Sequence, residues 1–503
     1  MKKHLIATLI ASIFVPTVVF AASPIESITK EWTYSHVNSG VAGQIAEISA
    51  YDAITNTIWV AGIVGVDVLN ATNGSLVQHI NSSSFGSINS LAINNGLAAF
   101  AIESSTKTNP GIVQFYDTSS RTLSSGINSI TVGALPDMLT FTADGSKLLV
   151  ANEATPSTYG ARIGTTTPRN YGPAAVDPVG SVSIINMNTR TVTATPGFVG
   201  VTQTGANIRT NTGMDFEPEY IAVNRAGTKA YVTLQEANAI GVLDLNTNSF
   251  EKVVGLGAKD FSLAGNQIDP LNNGTVSFIS ANVKGLYMPD GIAAYEANGS
   301  TYLVMANEGD FREDDGDRSA ASTLGAAAPL NNLRVSNTDS STGNLFAAGA
   351  RSFSIRDSDG NLVFDSGDTL DKKAAELGIY DDARSRDKGV EPEGVSIFSV
   401  AGRKVAAIGL ERTLKSAVAL YDITDPANAS FLDMIVTDGD LSPEGLQAFE
   451  RNGKLFLSIA NEVSNTTTLY SITPVPEPET YAMFLAGLGL IGLGAKRRKN
   501  KTK

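Results

Sequence analysis

The sequence predicts an all-β fold, a seven-bladed β-propeller of the kind built by YVTN and WD40 repeats, on three observations. A unit of four strand-like segments recurs along most of the 503 residues. In five copies a proline and an acid precede the first segment, and a second acid closes the second segment about seventeen residues later. The composition is rich in Gly, Val, Ile, Thr, Ser and Asn, which favours strands and turns. Recurrence with irregular insertions is typical of repeat architectures.

The first 22 residues are predicted to be a secretory signal peptide. Lys2 and Lys3 precede an apolar run over residues 5–20, and Ala21-Ala22 supplies small residues for cleavage by signal peptidase. The chain has no cysteine, so an exported form has no disulfides. A large core or a bound metal must therefore supply its stability.

Residues 474–503 form a tripartite tail. Prolines and acids come first, residues 481–495 are apolar, and a basic cluster follows. The apolar stretch is short for a membrane span of about 20 residues, and the basic cluster is expected to stay cytoplasmic. A plain C-terminal anchor is the alternative to a sorting signal.

The tail resembles the PEP-CTERM sorting signal of Gram-negative bacteria, and Val475-Pro476-Glu477-Pro478 carries the resemblance. The resemblance implies export across the inner membrane, transient anchoring through the transmembrane segment 481–495, and processing by an exosortase. The expected destination is the outer surface or the extracellular matrix, with the cell surface or an exopolysaccharide as partner.

Residues 23–473 contain the predicted propeller. The third copy is the clearest: residues 138–142, a turn at 143–146, then 147–151 and 181–185, which turns into a fourth segment. Short alternating runs joined by Asp-Gly or Asn-Gly turns are typical of hairpin strands. The first strands of the other copies are predicted at residues 45–51, 88–93, 220–223, 292–295, 395–398 and 446–449.

The seventh copy lacks its fourth strand, and the run at Trp32-Thr33-Tyr34 is predicted to complete it. A strand from the opposite end of the chain closes the ring and removes the last open edge. A pair of β-sandwiches is the alternative fold, which the single repeating order of segments disfavours.

The recurring acids are predicted to converge. The first two strands of a unit are antiparallel neighbours, so the acid before the first and the acid after the second lie at the same end. Long insertions at residues 154–180, 257–286, 309–350 and 365–390 emerge at that end, where functional sites are usually built. The acids are Asp137, Glu153, Glu219, Glu236, Asp290, Glu308, Glu393, Glu411, Glu444 and Glu462.

Carboxylates crowded at one rim need cations or backbone donors, because like charges at close range raise each other's pKa. Oxygen-only ligands suit Ca²⁺ or Mg²⁺, and Ca²⁺ is the expected ion, without an organic cofactor. The predicted metal ligands are Glu219, Asp290, Glu308, Asp310, Glu393, Glu411, Glu444 and Glu462. The predicted substrate-binding residues are Arg312, Arg384, Lys388 and Arg412. A structural role is equally open, since an acid at a strand start can cap a turn or bond the next blade.

Two function classes are disfavoured. The net charge is −13, and the predicted ends carry eight basic residues, so the core is more acidic still and repels nucleic acid. Outside the predicted signal peptide the histidines are His36 and His79, and neither is near the acids. This argues against a His-based zinc site or a Ser-His-Asp triad.

The chain between the two ends resembles the choice-of-anchor I domain. The resemblance is carried by segments such as Tyr287-Met288-Pro289-Asp290, Ala306-Asn307-Glu308-Gly309-Asp310 and Glu391-Pro392-Glu393-Gly394. It implies an exported, propeller-like protein, and some relatives carry an alkaline phosphatase label. Ala154 departs from the family, whose members more often carry Gly-Glu after the Asn-Glu pair. The sequence thus favours a binding or structural module with an acidic, Ca²⁺-binding rim, and the alternative is a metal-dependent phosphoesterase.

Overall fold

The protein is described here from a computed structural model. It describes residues 23–126, 129–157, 162–163, 170–171, 176–210, 216–311 and 317–476. The predicted signal peptide, the predicted transmembrane segment 481–495 and Arg312 lie outside these residues. Within the described part of the chain, no helix is long and apolar enough to cross a bilayer.

The chain is all-β with a single eight-residue α-helix among the described residues, α1 (Thr369–Glu376). Seven larger sheets follow one another along the chain. Sheet 7 includes β1 (Ile25–Ser35), and sheet 1 contains β2 (Ser49–Asp52), β3 (Thr57–Gly62), β4 (Gly65–Asn70) and β5 (Leu76–Asn81). Sheet 2 contains β6 (Ile88–Asn94), β7 (Leu97–Ile102), β8 (Pro110–Asp117), β9 (Thr122–Leu123) and β10 (Ser129–Ala134). Sheet 3 contains β11 (Pro136–Phe141), β12 (Lys147–Asn152), β15 (Ser181–Asn186) and β16 (Thr191–Ala194), with the hairpin β13 (Arg162–Ile163) and β14 (Asn170–Tyr171) between its second and third strands.

The remaining sheets repeat the order. Sheet 4 contains β17 (Gln203–Ala206), β18 (Ile221–Val223), β19 (Lys229–Leu234), β20 (Ala239–Asp244) and β21 (Ser249–Leu256). Sheet 5 contains β24 (Ile292–Ala297), β25 (Ser300–Asn307), β29 (Ser352–Asp357) and β30 (Leu362–Asp365). Sheet 6 contains β31 (Pro392–Val400), β32 (Arg403–Leu410), β33 (Ser416–Asp422) and β34 (Ser430–Thr437). Sheet 7 continues with β35 (Pro443–Arg451), β36 (Lys454–Asn461) and β37 (Thr466–Pro474).

Two sheets depart from the predicted pattern of four strands. In sheet 2 the fourth position is divided, because β9 pairs with the end of β8 and β10 pairs with its beginning. In sheet 4, β17 adds a fifth strand parallel to β21. The residues of β17 belong to the connection after sheet 3, where the sequence shows no strand periodicity.

The second and third strands are buried on both faces because each sheet packs against its neighbours. All six residues of β3 are buried, as are the apolar residues 148–151 of β12. Strands covered on both faces are near-continuous apolar runs rather than alternating ones.

The last sheet is completed by the first strand of the described chain. β1 lies antiparallel to β37, from Ile25 opposite Pro474 to Ser35 opposite Thr466. The hydroxyl groups of Thr33 and Thr468 are 2.9 Å apart across the pair. The pairing confirms that the run at Trp32-Thr33-Tyr34 completes the seventh sheet.

The first strands of the seven sheets form a closed cycle of contacts. β2 contacts β6, and each later first strand contacts the next one until β35 contacts β2 again. These strands surround a central channel, whose wider part is a cavity of about 510 Å³ lined by residues from all seven sheets. The end of each first strand that lies beside the predicted acids therefore opens on the same axis.

The long insertions pack together as a separate layer. It contains β22 (Ala258–Asp260), β23 (Lys284–Leu286), β26 (Arg318–Ala320), β27 (Arg334–Ser336) and β28 (Phe346–Ala347). Phe261, Val283 and Leu333 belong to its apolar core. The helix α1 packs its Leu370 and Ala374 into the apolar core of sheets 5 and 6 instead. The buried Arg351 guanidinium donates to the carbonyl oxygens of Asp269 and Ser385, which ties three insertions together. This layer brings basic side chains to the acidic end of sheets 5 and 6.

Removal of residues 23–35 is expected to lower the unfolding temperature by more than 10 °C and to cause oligomerisation. Without β1, the outer edge of β37 has unpaired backbone groups and becomes a template for another chain. Thermal unfolding and size-exclusion chromatography measure the effect. The control is a chain truncated after residue 476, which keeps every described strand pair. Equal unfolding temperatures for the two truncated chains would contradict the closing role of β1.

Candidate metal centre

Seven residues, one at or just before the start of each first strand, line one cavity of about 290 Å³ at the acidic end of the channel. We call them the inner ring: Glu47, Asn89, Asp137, Glu219, Asp290, Glu393 and Glu444. Five were predicted from the proline–acid pattern. The sequence reasoning missed Glu47 and Asn89 because the first two copies lack the proline, although their positions at the starts of β2 and β6 could have revealed them.

In three sheets the proline places the ring acid in a local irregularity of the strand pairing. The register between the first and second strands shifts between Pro136 and Leu139, and the same shift follows Pro392 and Pro443. A β-bulge re-aims the side chains within it, and bulges are frequent beside functional sites. The ring acid is the residue directly after each of these prolines, so its carboxylate is turned toward the axis.

The residue before the proline is left-handed in four of the five copies. Leu135, Met288, Glu391 and Ser442 have φ values of 44°, 43°, 52° and 56°. This conformation is costly for a side-chain-bearing residue and persists only where the surrounding structure holds it. The carbonyl oxygens of Leu135, Glu391 and Ser442 accept the backbone N–H of Glu153, Glu411 and Glu462 at 2.9, 2.9 and 2.8 Å. The strained residue thus ties the first acid of a sheet to the second.

Glycine after the ring acid allows neighbouring sheets to meet backbone to backbone. A Cβ added to Gly291, Gly394 or Gly445 would lie 2.2, 2.3 or 2.4 Å from the carbonyl oxygen of the ring acid in the following sheet. No side chain fits in that space. The Pro-acid-Gly motif of sheets 5, 6 and 7 therefore sets the width of the ring.

The second acids of the sheets form an outer ring. Its members are Glu103, Glu153, Glu236, Glu308, Glu411 and Glu462, which follow the second strands. Inner and outer carboxylates meet in two clusters whose oxygen atoms lie within 4.8 Å of one another: Asp137 with Glu153 and Glu219, and Asp290 with Glu308 and Glu393. We call these the first and the second cluster. Glu462 belongs to neither, and its charge acts on Glu444 and Glu47.

A third cluster contains its own positive charge. Glu308, Glu391 and Glu411 also lie within 4.8 Å of one another. The Lys388 ammonium is 2.7 Å from Glu308 and 2.9 Å from Glu391, and only 7 % of its side chain is exposed. Asp310 is farther from this ammonium, at 4.0 Å, and half exposed. The ammonium therefore occupies the place that a bound metal ion would take between these acids.

The two predicted arginines in the described part of the site also contact carboxylates. Arg384 lies 2.5 Å from Glu391, and Arg412 lies 2.6 Å from Glu411. Glu391 was not among the predicted ligands. It precedes the proline of its copy, and at that position three of the other four copies have a residue that is not an acid. It is nevertheless the acid that binds both Arg384 and Lys388.

Electrostatics divide the acids into two groups. Burial, followed by neighbouring carboxylates, raises the pKa of Asp137, Glu219, Asp290 and Glu393 well above the ordinary range. The same causes raise the pKa of Glu47, Glu411 and Glu444 to about 8. Burial would raise the pKa of Glu308 as well, but the Lys388 ammonium and hydrogen bonds from Lys388 and Gln235 outweigh it and hold that pKa below its ordinary value.

Within the two rings, two buried carboxylate oxygens have no hydrogen-bond partner among the described residues. They are Oε2 of Glu236 and Oε2 of Glu393. An orphaned oxygen beside other carboxylates is costly unless a proton or a cation lies against it. The donor set of the first and second clusters is oxygen-only, which fits a hard divalent cation such as Ca²⁺ or Mg²⁺.

Two protein-family models match this chain. The family model of the choice-of-anchor I domain matches residues 47–426, which is most of the chain. The chain belongs to the choice-of-anchor I family. The PEP-CTERM protein-sorting motif matches residues 474–499, so the chain carries the motif that is processed by the exosortase sorting machinery. Together the two matches fit an exported, surface-associated protein of a Gram-negative bacterium.

No curated protein matches the chain. Among solved structures, the fold is similar to hydrazine synthase of Kuenenia stuttgartiensis, with 10 % identity, a TM-score of 0.49 and coverage of 87 % of this chain and 97 % of that one. It is also similar to a chain of a mitotic checkpoint complex, with 10 % identity, a TM-score of 0.49 and coverage of 94 % and 99 %.

Replacement of Lys388 by Met is expected to lower the free energy of unfolding by about 3–5 kcal/mol, because it leaves Glu308 and Glu391 buried without their ammonium partner. Lys373→Met is the matched control, since its pair with Glu376 is solvent-exposed and contributes about 0–1 kcal/mol. Denaturant unfolding at neutral pH without divalent ions measures both. Equal costs would show that Lys388 does not hold the third cluster together.

Proposed function

We propose that this protein is a seven-bladed β-propeller whose acidic end binds Ca²⁺, and that it acts as a binding or structural module at the outer cell surface or in the extracellular matrix. The seven inner-ring residues that line one cavity carry the proposal. The closed cycle of first-strand contacts and the completion of sheet 7 by β1 support the propeller. A cell-surface component or an exopolysaccharide is the partner that the sorting motif favours.

The first and second clusters are the proposed Ca²⁺ sites. Each combines ligands from two neighbouring sheets: Asp137 and Glu153 of sheet 3 with Glu219 of sheet 4, and Asp290 and Glu308 of sheet 5 with Glu393 of sheet 6. A divalent ion there would neutralise the mutual repulsion of the carboxylates and tie the sheets together. The remaining predicted ligands, Glu411, Glu444, Glu462 and Asp310, would contribute charge around the sites.

The third cluster is proposed to be structural. Lys388 supplies one positive charge to it, and Arg384 and Arg412 supply two more at its edge. A protein ammonium is permanent, whereas a bound ion exchanges with solution. The acidic end would thus have one arc held by the protein's own cations and another that depends on the metal.

A metal-dependent phosphoesterase is the second candidate. It is favoured by the position of Arg412, whose side chain is 42 % exposed beside the third cluster and could reach an anionic ligand. Against it, Lys388 and Arg384 are already engaged by carboxylates, which leaves fewer positive charges for a phosphate group. The binding module is therefore the stronger proposal.

Calcium binding is expected to weaken at least tenfold in a Glu393→Gln and Glu444→Gln double variant, which keeps the shape of the ring but removes two carboxyl groups that can ionise around the ion. Isothermal titration calorimetry and native mass spectrometry of residues 23–476 measure binding. Glu376→Gln together with Glu450→Gln, two exposed acids outside the ring, is the control with the same number and type of substitutions. Undiminished binding in the ring variant would contradict the assignment.

The ring variant and the control variant also distinguish a binding module from a phosphoesterase. The module hypothesis expects no hydrolysis of p-nitrophenyl phosphate or its bis-ester with Ca²⁺ between pH 5 and 10. Hydrolysis that is lost in the ring variant but kept in the control variant would establish the phosphoesterase instead.

A further inference from the structure

Three arginines outside the two rings meet in the insertion layer. In the hairpin of β26 and β27, Arg318 lies opposite Ser336 and Ala320 lies opposite Arg334. Alternate residues of a strand share a face, so Arg318 and Arg334 project from the same face of the hairpin. The backbone N–H of Arg334 donates to the carbonyl oxygen of Arg386 at 2.8 Å, which places Arg386 beside them. We call Arg318, Arg334 and Arg386 the arginine group.

A single carboxylate, that of Asp387, faces the arginine group. Its oxygens are 3.7 Å from Nη1 of Arg318, 4.0 Å from Nε of Arg334 and 3.8 Å from Nε of Arg386. An N–H···O hydrogen bond is about 2.7–3.2 Å long, so none of these contacts is a hydrogen bond. Asp387 therefore neutralises part of the charge of the group without accepting a hydrogen bond from any of its three guanidinium groups.

Arg334 and Arg386 have hydrogen-bond donors left over. Within the part of the chain that the structure describes, neither guanidinium group has an acceptor, and Nε of Arg386 is buried without a partner. The two side chains are 33 % and 38 % exposed, so they are largely desolvated but still reachable from solution. Desolvated donors are costly to leave unpaired, and the buried Arg351 guanidinium, by contrast, donates to three carbonyl oxygens. Arg318 has a further contact of its own, so a ligand is assigned to Arg334 and Arg386 only.

The chemistry of this pair favours a carboxylate as its ligand. A planar guanidinium presents its N–H donors in a fork that matches the two oxygens of a carboxylate. Two guanidinium charges against the one charge of Asp387 leave a single positive charge, which a monovalent carboxylate neutralises and a phosphate dianion exceeds. A uronic acid carries one such carboxylate on each sugar, and acidic polysaccharides are ligands available to an exported, surface-associated protein.

We propose that Arg334 and Arg386 bind the uronate carboxylates of an acidic polysaccharide. This names the partner class of the proposed surface module and rests on that part of the proposed function, but it does not depend on calcium in the rings. The net charge of the protein is negative, which repels a polyanion at long range. The affinity must therefore come from direct contacts with the two guanidinium forks rather than from the overall field.

Variants that keep the charge but change the geometry provide the test. Arg334→Lys with Arg386→Lys keeps both positive charges and loses the planar forks, whereas Arg334→Gln with Arg386→Gln removes the charges as well. Arg225→Gln with Lys30→Gln removes two exposed basic groups elsewhere and is the control. Isothermal titration calorimetry of the full chain in EDTA compares an α-1,4-linked tetramer of galacturonic acid, the neutral galactose tetramer and tetraglutamate. EDTA prevents Ca²⁺ from bridging the ligand to the rings, so calcium binding is judged separately by its own titration.

The dissociation constant of the galacturonic acid tetramer is expected to rise at least tenfold in the Gln variant and at least fivefold in the Lys variant, and to stay unchanged in the control. An unchanged unfolding temperature verifies that each variant keeps the fold, and the comparison of the three ligands on the unsubstituted chain needs no variant. Absence of binding to the galacturonic acid tetramer, equal binding of the neutral tetramer, or undiminished binding in the Lys variant would overturn the proposal. Tighter binding of tetraglutamate would overturn it too and would assign the pair to an acidic peptide.

Discussion

The mutual repulsion of buried carboxylates is the constraint on which the acidic end depends. Six of the seven inner-ring residues are acids, and all seven line a cavity of about 290 Å³. Like charges so close cannot all remain ionised without compensation. Around Glu308 the compensation is the Lys388 ammonium, which the insertion before sheet 6 delivers. Around Asp137 and Glu219 burial and neighbouring acids dominate, and their pKa values rise. The acids around Glu308 are therefore neutralised by the protein itself, whereas those around Asp137 and Glu219 are suited to binding a cation from solution.

The backbone is organised to keep the acids together in spite of that repulsion. The left-handed residue before the proline accepts a hydrogen bond from the backbone N–H of the outer-ring acid, as Leu135 does from Glu153. This bond holds the inner-ring acid and the outer-ring acid of one sheet close together. Glycine after the ring acid allows contact between successive sheets, as Gly394 does with the Glu444 carbonyl. These features cost stability locally, and the buried second and third strands of the seven sheets offset that cost. Such strain is retained where a precise side-chain arrangement is required.

The sequence predicted the repeating sheets and most of the ring for identifiable physical reasons. Period-two runs and Asn-Gly or Asp-Gly turns mark strands locally, and antiparallel order then places Glu393 and Glu411 at one end without knowledge of the fold. Glu47 was missed because its copy lacks the proline that made the others conspicuous. Glu391 was missed because its partners Arg384 and Lys388 come from an insertion whose path depends on tertiary packing. The parallel strand β17 has no sequence signal of its own.

Proton release on calcium binding is the decisive measurement of whether Ca²⁺ binds among the buried carboxylates of the rings. At neutral pH the metal-free ring holds protons on groups such as Glu47 and Glu444, whose pKa is raised to about 8. A folded-state pKa above the unfolded value means that the metal-free protein loses stability as pH rises from about 4.5 to about 8. Calorimetric titration with Ca²⁺ at pH 7, in two buffers of different ionisation enthalpy, counts the protons released. We expect release of at least one proton per bound ion, and calcium binding without proton release would contradict the assignment of the carboxylate rings as the calcium site.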